Sequence, residues 1–304
     1  MKGGGTEGDG GLFSVTRPYT SDPFYDIICR MKNLFICPVC GHQLEHVNNS
    51  CVCANGHSFD ISKEGYVNLL LSSDMHSKNP GDTKQMVSSR RAFLDGGYYS
   101  FFRDAMSDAA ADYTAAAAPV LLDAGAGEGY YTKGIKDKLC GKNKDASVFG
   151  TDISKFACAK AAKRYRDIFF AVCSNFDLPV GDASCDILTC CFSPLCIPEY
   201  ARVLKKGGIF VYAVPGPSHL IEMKDVLYER PYLNEEKTED YDGFAFIDKR
   251  RAVSRATVKA ESLPDLFSMT PYLWRTPQQG IEKLNDSGPL DITFEFDILI
   301  YGRR

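Results

Sequence analysis

The chain has 304 residues, a formal net charge of -4, 44% hydrophobic residues, 24% charged residues and twelve cysteines. This length permits a catalytic domain of roughly 200 residues and a smaller companion. No apolar stretch approaches the ~20 residues that a membrane span requires, and the N-terminus lacks the basic start and apolar centre of a secretory signal. We therefore expect a cytoplasmic protein with no membrane partner, whose thiols stay reduced.

The first 30 residues are rich in glycine. We interpret residues 1–30 as a disordered extension. Met31 heads a better-formed segment, so the sequence leaves open whether Met1 or Met31 is the natural start.

Four residues of metal-ligand type cluster between positions 37 and 57. Two residues separate Cys37 from Cys40, and three separate Cys53 from His57. Three thiolates and one imidazole at this spacing suit a tetrahedral Zn²⁺, and four protein ligands leave no position for a reactive water. The spacing therefore predicts a closed, structural zinc site that folds a segment too short for its own core.

Other residues compete for two of these positions. Cys51 is an alternative to Cys53, and His42 or His46 is an alternative to His57. Only Cys53 and His57 together reproduce a compact second knuckle, so we prefer them.

A glycine-rich loop follows an apolar run at residues 118–129 and indicates a nucleoside cofactor site. Val120–Leu122 has the pattern of a strand buried on both faces, and glycine at every second position afterwards lets the backbone approach a ligand. A dinucleotide fingerprint would need glycine at position 130, which is Tyr130. The loop therefore favours S-adenosylmethionine. Its candidate cofactor residues are Asp123, Gly125, Gly127 and Gly129.

A second acid supports this interpretation. Asp152 ends the next expected strand, 23 residues after Gly129, where a carboxylate can accept both ribose hydroxyls. The alternative is an ordinary glycine-rich turn, with Asp152 capping a helix before Ser154.

From residue 119 onward, strand and helix patterns alternate, which predicts an α/β, Rossmann-like fold around a mostly parallel seven-stranded sheet. The expected strands are 119–123, 147–152, 168–173, 186–192, 209–214 and a last pair within 293–301. The fourth strand ends at Ser193 and Pro194, on the carboxyl edge where such sheets bind ligands.

Six motifs suggest a family. They are Cys37-Pro-Val-Cys40 with Cys53 and His57, Lys63-Glu-Gly-Tyr-Val-Asn-Leu-Leu70, Arg90-Arg-Ala-Phe-Leu-Asp95, Asp123 to Thr132, Ala161-Ala-Lys-Arg-Tyr165 and Pro215-Gly-Pro-Ser-His-Leu220. With them, residues 31–301 resemble the bacterial 23S ribosomal RNA guanine-N1 methyltransferases of the RlmA type. The resemblance implies a class I methyltransferase fold, with a small N-terminal zinc-ribbon-like domain that helps choose an RNA hairpin.

The resemblance also implies domains and cofactor contacts. We expect an extension at 1–30, a zinc-binding domain at 31–72, a helical linker at 73–118 and the S-adenosylmethionine-dependent domain at 119–304. The implied cofactor contacts are Tyr99, Gly127, Glu128 and His219, to which the ribose argument adds Asp152 and the adenine pocket adds Asn175. Each also has a plainer interpretation: Tyr99 as a core aromatic, His219 as a helix start and Glu128 as an acid in the first turn of a helix.

The chemistry implied is methyl transfer from S-adenosylmethionine to N1 of a specific guanine, an in-line displacement in which positioning supplies most of the acceleration. N1 lies on the Watson–Crick edge, so the base must be unpaired or flipped out. The strand end at Ser193 lacks the Asn-Pro-Pro-aromatic pattern that holds an exocyclic amine, which argues against such a target. The acceptor of the N1 proton is not identified, so no catalytic residue is assigned.

The net negative charge of the chain provides little electrostatic attraction for an RNA partner. RNA binding must then rely on local basic patches. A homodimer is another way to build an RNA-binding cleft, and the sequence does not decide whether the chain forms one. The candidate patches are Arg90 with Arg91; Lys160, Lys163, Arg164 and Arg166; and Lys249 with Arg250 and Arg251.

Two other functions fit the same sequence. One is a zinc-containing methyltransferase that acts on a small molecule or a protein, and the other is a non-catalytic zinc-ribbon adaptor that binds RNA. The sequence also leaves open which guanine is modified and whether macrolide resistance is affected.

Overall fold

The computed structural model describes residues 34–75, 77, 80–142, 144–236 and 240–304. The extension expected at 1–30 and the alternative start at Met31 lie outside the described residues. Within the described part of the chain, no helix is long and apolar enough to cross a membrane.

A small antiparallel sheet forms the N-terminal unit. Its strands are β1 (Leu44–Val47), β2 (Ser50–Cys53) and β3 (Ser58–Asp60), paired in that order. The loop between β1 and β2 is two residues long, and its first residue, Asn48, has a φ of 55°. Asparagine tolerates this left-handed conformation, which suits a tight hairpin turn.

A large sheet forms the centre of the molecule. Its strands are β4 (Tyr66–Asn68), β5 (Val120–Ala124), β6 (Ser147–Asp152), β7 (Phe169–Val172), β8 (Cys185–Cys191), β9 (Leu204–Pro215), β10 (Phe244–Val258) and β11 (Leu290–Arg303). The order is β10-β11-β9-β8-β5-β6-β7-β4, parallel from β9 to β4 and antiparallel where β11 pairs with β9 and β10. The first five expected strands are present as β5 to β9, but the pair expected within 293–301 is wrong. That segment lies in one continuous strand, β11, because its alternating pattern runs on without a turn, and the antiparallel partner is β10, about forty residues earlier in the chain. An eighth strand, β4, is added by the N-terminal unit at the edge beside β7.

Eight α-helices accompany the strands within the described residues. They are α1 (Lys84–Asp95), α2 (Ser100–Tyr113), α3 (Tyr130–Gly141), α4 (Lys155–Arg164), α5 (Ile197–Val203), α6 (Ile221–Leu227), α7 (Leu263–Ser268) and α8 (Gln278–Asn285). Most of them pack on one face of the large sheet. The other face is covered by α5 and by the N-terminal unit. Successive residues of β5 contribute to the two cores in turn, which explains why its residues other than Asp123 are apolar.

The N-terminal unit shares its core with the large sheet. Phe35, 1% exposed, packs its ring 5.8 Å from that of Phe149 and 5.9 Å from that of Phe169. Main-chain hydrogen bonds fix the same contact, from the Ile36 amide to the Pro179 carbonyl at 2.9 Å and from the Gly181 amide to the Leu34 carbonyl at 2.9 Å. The N-terminal unit therefore packs directly against the large sheet and is not joined to it only by a linker.

We expect Phe35→Ala to lower the free energy of unfolding by about 3–5 kcal/mol, because it leaves a cavity between the two parts of a shared core. Urea unfolding followed by circular dichroism measures this. Val39→Ala is the matched control in the same segment, since Val39 is 52% exposed, and it should change stability by less than about 0.5 kcal/mol. Equally small losses in both variants would contradict the shared core.

Candidate active site and metal centre

Four side chains in the N-terminal unit converge as a metal site requires. The ligand atoms of Cys37, Cys40, Cys53 and His57 all lie within 4.8 Å of one another. The Cys40 and Cys53 sulfurs are 3.7 Å apart, and His57 Nδ1 lies 3.4 Å from the Cys53 sulfur and 3.5 Å from that of Cys37. Ligands about 2.3 Å from one tetrahedral Zn²⁺ would be roughly 3.5–3.8 Å apart. The donor set therefore fits a closed zinc site.

Two matching turns bring these ligands together. Gly41, with a φ of 71°, donates its amide to the Cys37 carbonyl at 2.8 Å, and Gly56, with a φ of 81°, donates to the Cys53 carbonyl at 2.9 Å. Each left-handed glycine lets the chain reverse immediately after a ligand pair or between its members. The competing ligands lie apart: among the described residues, Cys51, His42 and His46 do not belong to the cluster. Burial raises the pKa of the Cys51 thiol to about 12, so it stays protonated.

The glycine loop after β5 approaches the carboxyl end of β8 very closely. A Cβ atom on Gly125, whose φ is 84°, would lie 2.3 Å from the hydroxyl oxygen of Ser193. Around Gly127, whose φ is 57°, the nearest atom to an added Cβ is the Arg90 guanidinium at 3.8 Å. Gly125 is therefore needed for the contact between strands, whereas Gly127 leaves its backbone open to a ligand.

Asp152, at the end of β6, holds this loop. Its Oδ2 accepts from the Gly127 amide at 2.9 Å, and its Oδ1 accepts from the Ser154 amide at 2.7 Å. Burial raises the pKa of this carboxyl, and the two amide hydrogen bonds oppose that rise. The helix-cap interpretation and the cofactor interpretation are therefore compatible, since Asp152 bonds the start of α4 and also lines a cleft.

That cleft, about 590 Å³, opens along the carboxyl edge of the sheet. Its volume lies within the range of small-molecule sites. Six of the expected cofactor residues line it, namely Tyr99, Gly125, Gly127, Asp152, Asn175 and His219. Open backbone at the loop, an acid at the second strand and an amide beyond it form a donor set that fits a nucleoside cofactor.

Three of the expected cofactor residues lie behind the cleft wall: Asp123, Glu128 and Gly129. The Asp123 carboxylate accepts from the hydroxyls of Thr132 at 2.5 Å and Thr189 at 2.8 Å, which ties α3 to β8. Burial raises its pKa to about 6. Gly129 starts α3 with a φ of 82°. Asp123 and Gly129 therefore support the conformation of the glycine-rich loop without lining the cleft.

Glu128 faces the helical segment expected as a linker. One of its carboxylate oxygens accepts a charged hydrogen bond from Arg91 on α1. The other is buried without a hydrogen-bond partner among the described residues. Burial raises the pKa of Glu128, and Arg91 opposes the rise. This pair fastens α1 against the glycine loop.

His219 is a neutral hydrogen-bond donor rather than a base. Its Nδ1 accepts from the Glu295 amide at 3.3 Å, so the proton resides on Nε2. Burial lowers its pKa to about 3. The ring centroid lies 4.4 Å from that of Phe296 and 6.3 Å from that of Tyr99.

Tyr99 and Asn175 both line the cleft. Tyr99 is 3% exposed and packs edge-on against Phe294 and Phe296, so it is a core aromatic that also lines the cleft. The Asn175 amide donates to the Ser193 hydroxyl at 3.1 Å and to the Pro194 carbonyl at 3.3 Å.

Sequence reasoning missed several residues that line the cleft. Gly81, Asp82 and Arg90 come from the segment expected as a linker, Tyr131 comes from the first turn of α3, and Phe192 directly follows β8. Arg90 forms an ion pair with Asp82, which nothing in the local pattern signalled. Phe192 directly follows β8, and that position was the available signal for it.

Comparisons with known proteins agree with this arrangement. A family model described as RlmA, N-terminal, a zinc ribbon, matches residues 35–78, and a methyltransferase-domain model matches residues 121–208. The chain is 29% identical over 279 residues to the putative 23S rRNA (guanine-N(1)-)-methyltransferase YxjB of Bacillus subtilis, with 88% of this chain and 96% of that protein covered.

Two further relatives are similar over a shorter length. Identity is 34% over 209 residues to a putative 23S rRNA (guanine-N(1)-)-methyltransferase of Micromonospora griseorubida, covering 63% of this chain and 68% of that protein. It is 33% over 193 residues to the 23S rRNA (guanine(748)-N(1))-methyltransferase of Streptomyces fradiae, covering 63% and 66%. The expected methyltransferase fold with its zinc ribbon, and the cofactors S-adenosylmethionine and zinc, are confirmed.

We expect Cys53→Ala to lose bound zinc and to unfold the N-terminal unit, because three ligands hold the metal far more weakly than four and the hairpin depends on it. Metal analysis by mass spectrometry and thermal unfolding measure the two effects. Cys140→Ala is the control, since Cys140 is an exposed thiol outside the cluster. Full zinc occupancy in the Cys53 variant would contradict the assigned ligand set.

Acid should destabilise the wild type more than a His219→Gln variant. A histidine whose pKa falls from 6.5 to about 3 on folding binds its proton in the unfolded state first. Its contribution to stability is therefore complete above pH 6.5 and is lost as the pH falls. By pH 5 the loss should be about 2 kcal/mol. Urea unfolding at pH 7.5 and pH 5 measures it, and parallel losses in both proteins would contradict a buried neutral His219.

Proposed function

The chain belongs to the family of 23S ribosomal RNA (guanine-N1)-methyltransferases, and we propose that it transfers a methyl group from S-adenosylmethionine to N1 of one guanine in a hairpin of 23S ribosomal RNA, in the cytoplasm. The observation that carries this proposal is the cleft in which Gly127 and Asp152 meet. It lies on the same sheet that carries the zinc unit.

The cofactor supplies a methyl group activated by a sulfonium, and the chain positions it. Asp152 keeps lone pairs to accept the ribose hydroxyls, while the open backbone at Gly127 allows close approach. Asn175 and His219 line the cleft, so the Asn175 amide would contact the adenine and the Nε2 proton of His219 would be donated to a polar group of the cofactor. Alignment of three atoms in a preformed cleft accounts for most of the acceleration.

Removal of the N1 proton does not need a strong base from this cleft. Asp82 is paired with Arg90, Asp152 bonds two backbone amides, and His219 already carries its proton on Nε2. Among the described residues that line the cleft, Asp82 and Asp152 are the only carboxylates and His219 is the only imidazole. We therefore assign the proton to water that reaches the open side of the cleft.

The zinc unit is proposed to help select the RNA hairpin. Its knuckle and its hairpin tip expose Val39 (52%) and Val47 (48%) to solvent. Because Phe35 seats the unit in the core of the sheet, these surfaces stay at a fixed distance from the cleft. A rigid spacing of this kind selects a folded RNA by its shape.

Primer extension on unmodified 23S RNA tests the function. Methylation of guanine N1 blocks base pairing, so we expect reverse transcriptase to stop at one hairpin guanine after incubation with the protein and S-adenosylmethionine. Reactions without the cofactor, or with S-adenosylhomocysteine in its place, are the controls. If labelled methyl enters metabolites or protein while the RNA shows no stop, the substrate assignment is wrong.

A further inference from the structure

The basic patches expected to bind RNA are largely neutralised within the fold. Of the nine cations in those patches, six form ion pairs with acidic side chains: Arg90, Arg91, Arg164, Lys249, Arg250 and Arg251. Asp297, only 1% exposed, alone pairs with two of them. With a net charge of -4, the chain needs another source of affinity for RNA.

Exposed aromatic side chains line the cleft or are close in sequence to residues that line it. Phe192 is 44% exposed and Tyr232 is 49% exposed, and both line the cleft. Trp274, 73% exposed, does not itself line the cleft but lies in the sequence between two residues that do, Tyr272 and Arg275. Large apolar rings left in solvent around one cleft indicate a binding surface.

Phe192 is held in a conformation that few residues adopt. Its φ is 58°, the left-handed region that favours glycine. The ring packs 5.5 Å from that of Phe102 and 5.4 Å from that of Phe296, yet remains partly exposed. The next residue, Ser193, bonds the Ala124 carbonyl at 2.9 Å, immediately before the glycine loop. The strained backbone therefore presents an aromatic ring beside the cofactor loop.

A buried lysine holds Tyr232 in place at the cleft. Lys224 is fully buried, and its Nζ donates to the Tyr232 carbonyl at 2.9 Å and to the Asn234 side-chain oxygen at 2.8 Å. The same ammonium lies 4.5 Å from the centroid of the Tyr232 ring. Asn234 in turn donates to the Gly216 carbonyl at 2.8 Å. Tyr232 is thus held in place before any ligand arrives.

We propose that Phe192, Tyr232 and Trp274 form an aromatic rim that stacks on unpaired bases of the RNA hairpin loop, with Phe192 beneath the target guanine. The inference rests on the proposed RNA substrate. Stacking does not require a positive field, because every base offers a π-face to an aromatic ring. Bases of a hairpin loop are already unstacked, so an acidic protein can bind them where it would repel a duplex.

The single tryptophan makes the rim directly observable. Trp274 is the one tryptophan in the chain, so its emission reports only on this surface. We expect a synthetic 23S hairpin, carrying the guanine identified by primer extension, to quench this emission saturably. A fully paired duplex of equal length should not. S-adenosylhomocysteine is present throughout, so that the cofactor site is filled in every titration.

Variants separate the rim from the cofactor site. Trp274→Ala, which has no tryptophan emission, should weaken hairpin binding measured by retention of the labelled hairpin on a filter about tenfold or more. It should leave the affinity for S-adenosylhomocysteine, measured by calorimetry, unchanged. Phe246→Ala is the matched control, because Phe246 is a 53% exposed aromatic on β10 whose sequence neighbours, unlike Arg275 beside Trp274, do not line the cleft. It should alter neither affinity.

The outcomes of these experiments test the aromatic rim separately from the proposed methylation of 23S RNA. If the wild type methylates the hairpin but Trp274→Ala binds it with unchanged affinity, the rim is wrong and the function stands. If the wild type neither binds nor methylates the RNA, the function fails and the rim with it. Equal quenching by hairpin and duplex would also overturn the proposal.

Discussion

The site depends on one carboxylate, that of Asp152. The ends of parallel strands carry amides and carbonyls that the sheet no longer pairs, and each must find a partner. Asp152, the last residue of β6, accepts hydrogen bonds from the amide of Gly127 in the loop after β5 and from the amide of Ser154 at the start of α4. A single side chain therefore fixes the loop after one strand to the helix after the next. The Thr151 carbonyl holds the start of the same loop by accepting from the Gly125 and Ala126 amides at 2.8 Å, but the amide of Gly127 is held by Asp152.

A second constraint comes from the N-terminal unit. Zinc holds a three-stranded hairpin too small for a core of its own, but Phe35 and β4 also join this unit to the large sheet. The segment that follows returns across the cofactor loop, where Arg91 meets Glu128. The described residues from this part of the chain thus pack against the large sheet through Phe35 and β4, and against the glycine loop through Arg91.

Local spacing explains what the sequence could predict. The zinc ligands lie within a short segment, and their separations alone dictate a knuckle. Asp152 was predictable because strand ends meet at one edge whatever the other contacts are. The roles of Asp123 and Glu128 were not, since they depend on Thr189 and Arg91, each tens of residues away. The exposure of Phe192 likewise depends on a backbone conformation that residue type does not signal.

The measurement that tests this account most directly is calorimetric titration of folded Asp152→Asn with S-adenosylhomocysteine. The account predicts an affinity on the order of 10- to 100-fold below that of the wild type. Asp186→Asn is the matched control, since Asp186 also bonds a backbone amide, that of Val120 at 2.9 Å, but at the opposite end of the sheet. It should bind as the wild type does. Unchanged affinity in a folded Asp152 variant would contradict the central role of this carboxylate.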